Sequence, residues 1–371
     1  MNTMVNDQLW MSKALQLARR GLYSTHPNPR VGCVIVAENQ VVGQGWHQKA
    51  GEPHAEVYAL REAGDQAKDA TAYVTLEPCS HFGKTPPCAD ALIQAQVKRV
   101  VIAMQDSNPK VAGQGVTKLR SAGIDVVCGV LEQDAHALNK GFIKRMCTGM
   151  PYVTVKLAMS LDGRTAMANG ESQWITSSAS RRAVQRLRAQ SSAILTGADT
   201  VLFDDAKLTV RADELGLSQQ LTDLALQRQP LRVLIDSQQR VPFDKAFYQS
   251  PYTLTVSHVN QPTTLQQHRY WLQLATNSEG HIDLQQLLKR LAKDYEVNEV
   301  LVEAGATLAG AFIRNECVDE LAIFMAGKLL GSSARPLFSL PLNNMDEAIN
   351  LTIEDIRAIG DDWLIKAFPK F

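Results

Sequence analysis

The chain has 371 residues, more than twice the roughly 150 residues of a typical domain, so we expect two domains. Hydrophobic residues make up 45% of the sequence and charged residues 20%, which is enough apolar material for packed cores and excludes a disordered chain. Lys plus Arg and Asp plus Glu each number 38, so the formal charge is zero. A general nucleic-acid binder normally carries an excess of basic residues, so we do not expect this chain to bind nucleic acid in general.

The sequence predicts a cytoplasmic protein with no membrane association. No apolar run approaches the roughly 18 to 20 residues that span a bilayer, and residues 1–15 lack a basic segment followed by an apolar one. Six cysteines in a chain of this length do not indicate a disulfide scaffold, so we expect reduced thiols that are buried or used in chemistry. Apolar neighbours favour burial of Cys33, Cys128 and Cys317.

The first 148 residues alternate helical and strand patterns, which predicts a largely parallel sheet covered by helices. Gly149 and Pro151 mark a short linker, so we place the domains at 1–148 and 149–371. In the first domain we expect helices at 7–21, 54–64, 89–96, 116–122 and 132–146, and strands at 31–37, 40–46, 72–76, 99–104 and 124–128. The strands at 31–37 and 40–46 are predicted to form a hairpin.

The second domain shows a similar alternation. We expect helices at 177–190 and 305–315, and strands at 152–159, 193–197, 231–236, 252–256, 270–274, 300–303, 320–325 and 363–368. The polar, Gln-rich stretch at 215–230 is predicted to be a surface excursion.

One histidine and two cysteines in the first domain predict a catalytic zinc site. His54 opens a helix, Cys79 follows a strand, and Cys88 precedes another helix. One imidazole and two thiolates suit Zn²⁺ and leave a fourth tetrahedral position for water, whose pKa falls toward about 7 so that hydroxide is available. Glu56 is the candidate to carry protons between that water, a ring nitrogen and a departing amine. A closed structural site with His81 as fourth ligand is the alternative.

Five further residues of the first domain are candidates for holding a substrate. Asn28 offers a donor and an acceptor to a pyrimidinone edge, and His47 could touch base or sugar. Lys84 could hold a phosphate, while Asp106 and Asn108 follow a strand and are weaker candidates for the ribose. Each has a plainer alternative, such as a turn asparagine, a surface histidine or a solvated lysine.

The zinc motif resembles that of the cytidine-deaminase-like superfamily, in which His-x-Glu is followed by Pro-Cys-x-x-Cys. Here the cysteines are separated by eight residues, Ser80-His-Phe-Gly-Lys-Thr-Pro-Pro87. This insertion is similar to that of the pyrimidine deaminases of riboflavin biosynthesis. The resemblance implies an α/β fold whose N-terminal domain is a cytidine-deaminase-like three-layer structure.

The second domain has no Rossmann fingerprint, but a strand ending at Glu303 leads into a glycine-containing helix start at Gly305. Runs such as Lys156-Leu-Ala-Met-Ser-Leu-Asp-Gly and Gly197-Ala-Asp-Thr resemble the dihydrofolate-reductase-like pyrimidine reductases of riboflavin biosynthesis. That resemblance implies a C-terminal dihydrofolate-reductase-like α/β domain that uses NADPH. The cofactor residues it implies are Ala158, Trp174, Thr200, Asp204, Ser237, Gly305, Ala306, Thr307, Leu308, Ala309, Gly310 and Ala311. The substrate residues it implies are Ser172, Arg188, Leu208, Arg211 and Glu303.

The order of the two domains looks like the bifunctional riboflavin-biosynthesis deaminase/reductases. The implied reactions are hydrolysis of the 2-amino group of 2,5-diamino-6-(ribosylamino)-pyrimidin-4(3H)-one 5′-phosphate and NADPH reduction of the ribosyl chain to ribityl. Asp204 and Glu303 are both candidate acids for the reduction, with Lys156 as an electrostatic aid. The alternatives are a nucleic-acid or nucleoside deaminase with a non-catalytic second domain, and a binding protein that has lost its chemistry. The sequence leaves a homo-oligomer open.

Overall fold

The computed structural model describes residues 3–80, 87–108, 111–261, 268–277 and 279–371. The chain divides into two compact units between Gly149 and Met150. Among the described residues, no helix combines the length and the apolar character that crossing a membrane requires.

The first unit is built on a mixed sheet of five strands among its described residues, in the order β2-β1-β3-β4-β5. Strands β1 and β2 form the predicted antiparallel hairpin, β1 also pairs antiparallel with β3, and β3, β4 and β5 run parallel. The strands are β1 (Gly32–Ala37), β2 (Gln40–Trp46), β3 (Thr71–Val74), β4 (Arg99–Ile102) and β5 (Asp125–Cys128). The helices are α1 (Thr3–Arg19), α2 (Ala55–Ala63), α3 (Cys88–Gln94), α4 (Gln114–Ser121), α5 (Glu132–Leu138) and α6 (Lys140–Thr148).

Two glycines let helix α2 lie directly on strand β2. A Cβ atom at Gly43 would stand 2.1 Å from the carbonyl oxygen of Ala59, and one at Gly45 would stand 2.4 Å from that of Ala55. Real Cβ atoms do not approach backbone so closely, so only glycine fits at these positions. The close packing fixes the start of α2, where His54 is the N-cap residue and Glu56 lies in the first turn.

The prediction of one helix over 132–146 is wrong, because the backbone leaves the helical conformation at Asn139 between α5 and α6. The buried Asn139 side chain bonds both backbone groups of Arg30: its Oδ1 accepts from Arg30 N at 2.8 Å and its Nδ2 donates to Arg30 O at 3.0 Å. These bonds hold the break in place. Helical periodicity does not report such a partner 109 residues away in sequence.

The second unit contains, among its described residues, a sheet of nine strands in the order β11-β10-β9-β8-β12-β6-β13-β16-β15. The run from β11 to β13 is parallel, and β16 and β15 extend it antiparallel. The strands of this sheet are β6 (Tyr152–Ser160), β8 (Ala193–Gly197), β9 (Leu231–Ile235), β10 (Thr253–Ser257), β11 (Arg269–Gln273), β12 (Glu299–Glu303), β13 (Glu320–Ala326), β15 (Asn350–Ile359) and β16 (Asp362–Lys370). Two further strands, β7 (Arg164–Ala166) and β14 (Arg335–Pro336), pair antiparallel in a separate sheet. The helices are α7 (Ser178–Gln190), α8 (Ala198–Asp204), α9 (Gln219–Leu226), α10 (Leu284–Asp294) and α11 (Ala306–Arg314). The parallel arrangement brings the carboxyl ends of β6, β8, β9 and β12 to one edge, where ligands bind in such sheets.

The stretch 215–230 lies largely at the surface, as predicted, since most of its residues are exposed or half-buried. It also contains a helix that was not predicted, α9, whose Thr222 and Ala225 are buried, and Leu215 before the helix is fully buried. The glutamine-rich composition did not reveal this helix or its small apolar face.

All six cysteines are free thiols. Burial is confirmed for Cys33 and Cys317 but is wrong for Cys128, which is exposed. Cys128 is the last residue of β5, an edge strand of its sheet, so an apolar sequence context does not enclose it.

Candidate active sites

The three predicted zinc ligands lie together in the first unit. The Nδ1 atom of His54 is 3.6 Å from Cys79 Sγ and 3.3 Å from Cys88 Sγ, and the three ligand atoms lie within 4.8 Å of one another. Tetrahedral zinc bound by nitrogen and sulfur separates two such ligands by about 3.6 Å. The donor set and its spacing fit zinc.

Local structure explains how each ligand reaches the cluster. His54 is the N-cap residue of α2, and Cys88 is the first residue of α3. Cys79 lies in the loop after β3, where its sulfur accepts the Cys88 N–H at 3.2 Å and its carbonyl accepts the Ala89 N–H at 3.1 Å. A hydrogen bond between the two sulfurs lowers the pKa of Cys79 and raises that of Cys88. Zinc requires both as thiolates, so binding it releases protons.

Glu56 lies beside this cluster in the first turn of α2 and is buried. Burial raises the pKa of its carboxyl from 4.5 to about 7, against the opposing influence of His54. Its Oε2 atom is buried and has no hydrogen-bond partner among the described residues. A buried carboxyl oxygen without a partner is costly in a purely structural role. Its position and pKa suit a group that exchanges protons with a bound ligand near neutral pH.

Asn28 and His47 are in contact next to the cluster. Asn28 Nδ2 is 3.0 Å from His47 Nε2, and the His47 ring meets the His54 ring edge-on at 5.4 Å between centroids. His47 Nδ1 is 3.2 Å from the carbonyl oxygen of Pro53, which can only accept. Burial lowers the pKa of His47 to about 4, so its ring is neutral at pH 7. Nδ1 therefore donates to Pro53, and Nε2 accepts from Asn28.

Asp106 and Asn108 lie in the loop after β4, and a residue that the sequence analysis missed fixes this loop. The buried Glu77 carboxylate accepts backbone N–H bonds from Asp106 at 3.1 Å, Gly113 at 2.9 Å and Val116 at 3.1 Å. Glu77 stands two residues before Cys79, so it joins this loop to the cysteine turn. An acidic residue directly after an apolar strand was the signal that could have revealed it.

Asp106 also stabilises this loop through a local hydrogen bond, in which its Oδ1 accepts the Asn108 N–H at 2.8 Å. Lys84 and His81 fall outside the described residues, so the predicted phosphate contact and the alternative fourth zinc ligand stay predictions.

The second unit has a cavity of about 1830 Å³ at the carboxyl ends of its parallel strands. Its volume exceeds that of a typical single-ligand pocket, so it has room for both a dinucleotide and a substrate. Most residues that the resemblance implied line this one cavity. They are Lys156, Ala158, Ser172, Trp174, Arg188, Thr200, Asp204, Leu208, Arg211, Ser237, Glu303, Gly305, Ala306, Thr307, Leu308 and Ala311.

Ala309 and Gly310 do not line this cavity, and their predicted contact with the cofactor stays a prediction. Ala309 is fully buried in the core, and a Cβ at Gly310 would stand 2.3 Å from the carbonyl oxygen of Ser339. They occupy the inner face of α11, while the helix start faces the cavity. Gly310 thus serves close packing of the helix.

Glu303 lines the cavity and is held between two cations. Arg188 donates to its carboxylate from Nε at 2.6 Å and from Nη2 at 3.0 Å, and Lys156 Nζ lies 3.7 Å from Oε2. Burial alone would raise the pKa of Glu303, but the two positive charges outweigh it and the pKa is lowered. Glu303 is therefore ionised at neutral pH and is a poor proton donor.

Asp204 is the other carboxyl of the cavity and has a different environment. Burial raises the pKa of Asp204, and the opposing charge of Arg335 offsets this only in part. Asp204 ends helix α8 and faces the same space as Glu303. Of the two candidate acids, Asp204 is the one whose protonated form the surroundings favour.

Two family models match the chain, one in each unit. Residues 4–104 match the cytidine and deoxycytidylate deaminase zinc-binding region, and residues 151–365 match the RibD C-terminal domain. The riboflavin biosynthesis protein RibD of Escherichia coli is 53% identical over 360 residues, covering 96% of this chain and 98% of that protein. The chain belongs to the RibD family.

Solved structures of RibD proteins have the same fold over the full chain. RibD of Acinetobacter baumannii aligns with a TM-score of 0.91 at 45% identity, covering 100% of both chains. The diaminohydroxyphosphoribosylaminopyrimidine deaminase/5-amino-6-(5-phosphoribosylamino)uracil reductase of Thermotoga maritima aligns with a TM-score of 0.87 at 31% identity, again over 100% of both chains. The predicted fold class, a cytidine-deaminase-like domain followed by a reductase domain, is confirmed.

As a RibD protein, the chain is a bifunctional enzyme of riboflavin biosynthesis with a zinc-dependent deaminase and an NADPH-dependent reductase. The predicted activities and the predicted cofactors, zinc and NADPH, are confirmed. A nucleic-acid or nucleoside deaminase with a non-catalytic second domain is not favoured. The second half of the chain matches the RibD C-terminal domain, in addition to the match of the first half to the zinc-binding region.

Proposed function

We propose that residues 1–148 deaminate the pyrimidine nucleotide and that residues 149–371 reduce the product. The first substrate would be 2,5-diamino-6-(ribosylamino)-pyrimidin-4(3H)-one 5′-phosphate, and the second would be 5-amino-6-(5-phosphoribosylamino)uracil. The observation that carries the proposal is the buried Glu56 Oε2, which lacks a partner among the described residues and lies beside the cluster of His54, Cys79 and Cys88.

In the deaminase, His54, Cys79 and Cys88 would hold the metal. Zinc, when bound there, lowers the pKa of a water molecule toward about 7 and supplies a nucleophile at neutral pH. Glu56 takes a proton from the attacking water and passes it to the ring nitrogen next to C2. It then takes the remaining proton of the new C2 hydroxyl and gives it to the amine, so that the C–N bond breaks, ammonia leaves and C2 keeps a carbonyl oxygen. A carboxyl with a pKa near 7 can both accept and donate at this stage.

Recognition of the pyrimidine would use the residues around this cluster. Asn28 Nδ2 gives one of its two hydrogens to His47, so Oδ1 is left as an acceptor and the second N–H as a donor for the pyrimidine edge. His47 could also contact the base or the sugar. Asp106 and Asn108 would contact the ribose, and Lys84 the phosphate.

In the reductase, Asp204 would supply the proton that accompanies hydride transfer. The ribosylamine opens to an imine as a proton passes from its nitrogen to the ring oxygen. NADPH, when bound, would supply a hydride for the first carbon, and Asp204 would give the imine nitrogen its proton. Glu303, fixed by Arg188 and Lys156, would orient the substrate in its ionised form. Ser172, Leu208 and Arg211 would complete the substrate site.

NADPH would lie along the carboxyl edge of the sheet. The first turn of α11 lines the cavity, and its backbone N–H groups would hold the pyrophosphate of the cofactor. The cofactor contacts would come from Ala158, Trp174, Thr200, Asp204, Ser237, Gly305, Ala306, Thr307, Leu308 and Ala311.

We propose that the partners are small molecules only, with neither nucleic acid nor membrane, because the formal charge is zero. Six free thiols support a reducing, cytoplasmic location. A homo-oligomer stays open.

The test is to supply the purified chain with the diaminopyrimidine nucleotide, zinc and NADPH, and to follow ammonia and the loss of NADPH absorbance. The proposal expects ammonia release and NADPH oxidation in equal amounts. Ammonia without NADPH oxidation would refute the reductase assignment, and absence of both would refute the whole proposal.

A further inference from the structure

Side chains hold the backbone of the loop at residues 207–211, which we call the substrate loop because the resemblance places Leu208 and Arg211 on the substrate. Leu208, Thr209 and Arg211 line the cavity, and Leu208 has a left-handed backbone with φ of 55°. The loop belongs to no helix or strand, so its peptide groups need partners from elsewhere.

Three of these bonds come from residues on α7 and β9. Arg188 Nη1 donates to the carbonyl of Thr209 at 3.2 Å, and Gln185 Oε1 accepts the Arg211 N–H at 3.1 Å. The buried Arg232 donates from Nη1 to the carbonyl of Lys207 at 3.0 Å.

The centre of the substrate loop is held by Gln229. Its Oε1 accepts the Val210 N–H at 2.9 Å, and its Nε2 donates to the Val210 carbonyl at 3.2 Å. One amide thus satisfies both backbone groups of one residue, as a neighbouring strand would. Among side chains, only Asn and Gln carry a planar donor and acceptor in this arrangement, so Glu, Lys or an apolar residue cannot replace it.

We infer that Gln229 is a positioning residue for substrate recognition by the reductase, acting through Val210 on Leu208 and Arg211. Gln229 itself does not line the cavity and lies three residues after the end of α9, in the stretch 215–230. The stretch 215–230 therefore does more than pack against its neighbours. It places the side-chain amide of Gln229 against the backbone of Val210 in the substrate loop. This inference rests on the proposed function, in which the loop contacts the pyrimidine nucleotide.

The test compares Gln229→Leu and Gln229→Glu with the full-length chain, using Gln227→Glu as the matched control. Gln227 is an exposed glutamine two residues away. The measurements are the KM and kcat for 5-amino-6-(5-phosphoribosylamino)uracil at saturating NADPH, and the Kd for NADPH by equilibrium dialysis. The Kd also reports whether the second unit is folded.

We expect the KM to rise about tenfold in Gln229→Leu and somewhat less in Gln229→Glu, which keeps the acceptor for Val210 N–H. The kcat and the Kd for NADPH should stay within about twofold of wild type, and Gln227→Glu should match wild type. If Gln229→Leu fails to fold, the same comparison is made with Gln229→Glu.

Three results would overturn the inference: an unchanged KM, a Kd for NADPH that rises in parallel with KM, or an equal rise of KM in Gln227→Glu. Failure of the proposed function is distinguishable, because the wild-type chain would then not oxidise NADPH with this nucleotide at all.

Discussion

The guanidinium of Arg188 donates two hydrogen bonds to the carboxylate of Glu303, one of 2.6 Å from Nε and one of 3.0 Å from Nη2. Both side chains are almost fully enclosed, and Lys156 lies against the same carboxylate at 3.7 Å. The Arg188 guanidinium, which the resemblance assigns to substrate binding, is thus directed at an acidic side chain. Its contact with the substrate stays a prediction.

Replacing Glu303 by Gln leaves two buried cations without their counter-charge. We expect the free energy of unfolding of the second unit to fall by about 3 kcal/mol, the usual cost of breaking a buried pair from one side. Urea unfolding followed by circular dichroism measures this. Glu279→Gln is the control, since Glu279 is exposed and should change stability by less than about 0.5 kcal/mol. Equal stability of the two variants would contradict the role given to Glu303.

Replacing Asp204 by Asn removes the proposed proton donor and keeps the shape of the side chain. We expect the reductase kcat to fall about 100-fold, while the Kd for NADPH changes little. Stopped-flow NADPH oxidation and equilibrium dialysis measure the two quantities. A kcat close to wild type would exclude Asp204 as the acid.

The reductase should also depend on pH through Asp204. Burial raises the pKa of this carboxyl above its ordinary value, and only the protonated form donates. The reductase kcat should therefore decrease as the pH rises through that pKa, and this decrease should be absent from the Asp204→Asn profile. A decrease that persists unchanged in the variant would assign the titration to another group.

Zinc removal should separate the two activities. A chelator such as dipicolinate is expected to abolish ammonia release and to leave NADPH oxidation with the deaminated nucleotide intact, since the predicted ligands all lie in the first unit. Cys88→Ser should lose bound zinc by metal analysis, whereas Cys147→Ser, which alters an exposed thiol, should retain it. Loss of both activities on chelation would argue against independent sites.

Glu77→Ala should destabilise the first unit, because three backbone N–H groups lose their acceptor. Each buried donor left unpaired costs about 1 to 3 kcal/mol, and water entering the space would satisfy part of the loss, so we expect about 3 kcal/mol in total. Urea unfolding measures it against Glu62→Ala, whose exposed carboxylate accepts one backbone bond from Gln44. Similar losses in both variants would contradict the role of Glu77.

Sequence reasoning predicted the candidate zinc ligands because zinc favours imidazole and thiolate donors, which only His and Cys supply. The structure brings His54, Cys79 and Cys88 together as that pattern predicted. The alternation of helices and strands could also be predicted, because the spacing of apolar residues along the sequence reflects which face of each element is buried. The hairpin of β1 and β2 is the clearest case.

What the sequence did not show depends on distant partners. Asn139 breaks a helix because it bonds Arg30, and Gly310 faces inward because Ser339 packs against it. Glu77 and Gln229 form hydrogen bonds with backbone groups of other residues. Every residue except proline has the same backbone donor and acceptor, so the residue types of the partners do not reveal these bonds. Such contacts are set by tertiary structure alone.

The most direct test of the whole account compares wild type with Glu56→Gln when the diaminopyrimidine nucleotide and NADPH are supplied together. Wild type should release ammonia and oxidise NADPH. Glu56→Gln should keep its zinc, do neither with this substrate, and still oxidise NADPH at the wild-type rate when given the deaminated nucleotide. Ammonia release by Glu56→Gln at a rate close to wild type would contradict the proton-carrying role of this buried carboxyl and the deaminase site built around it.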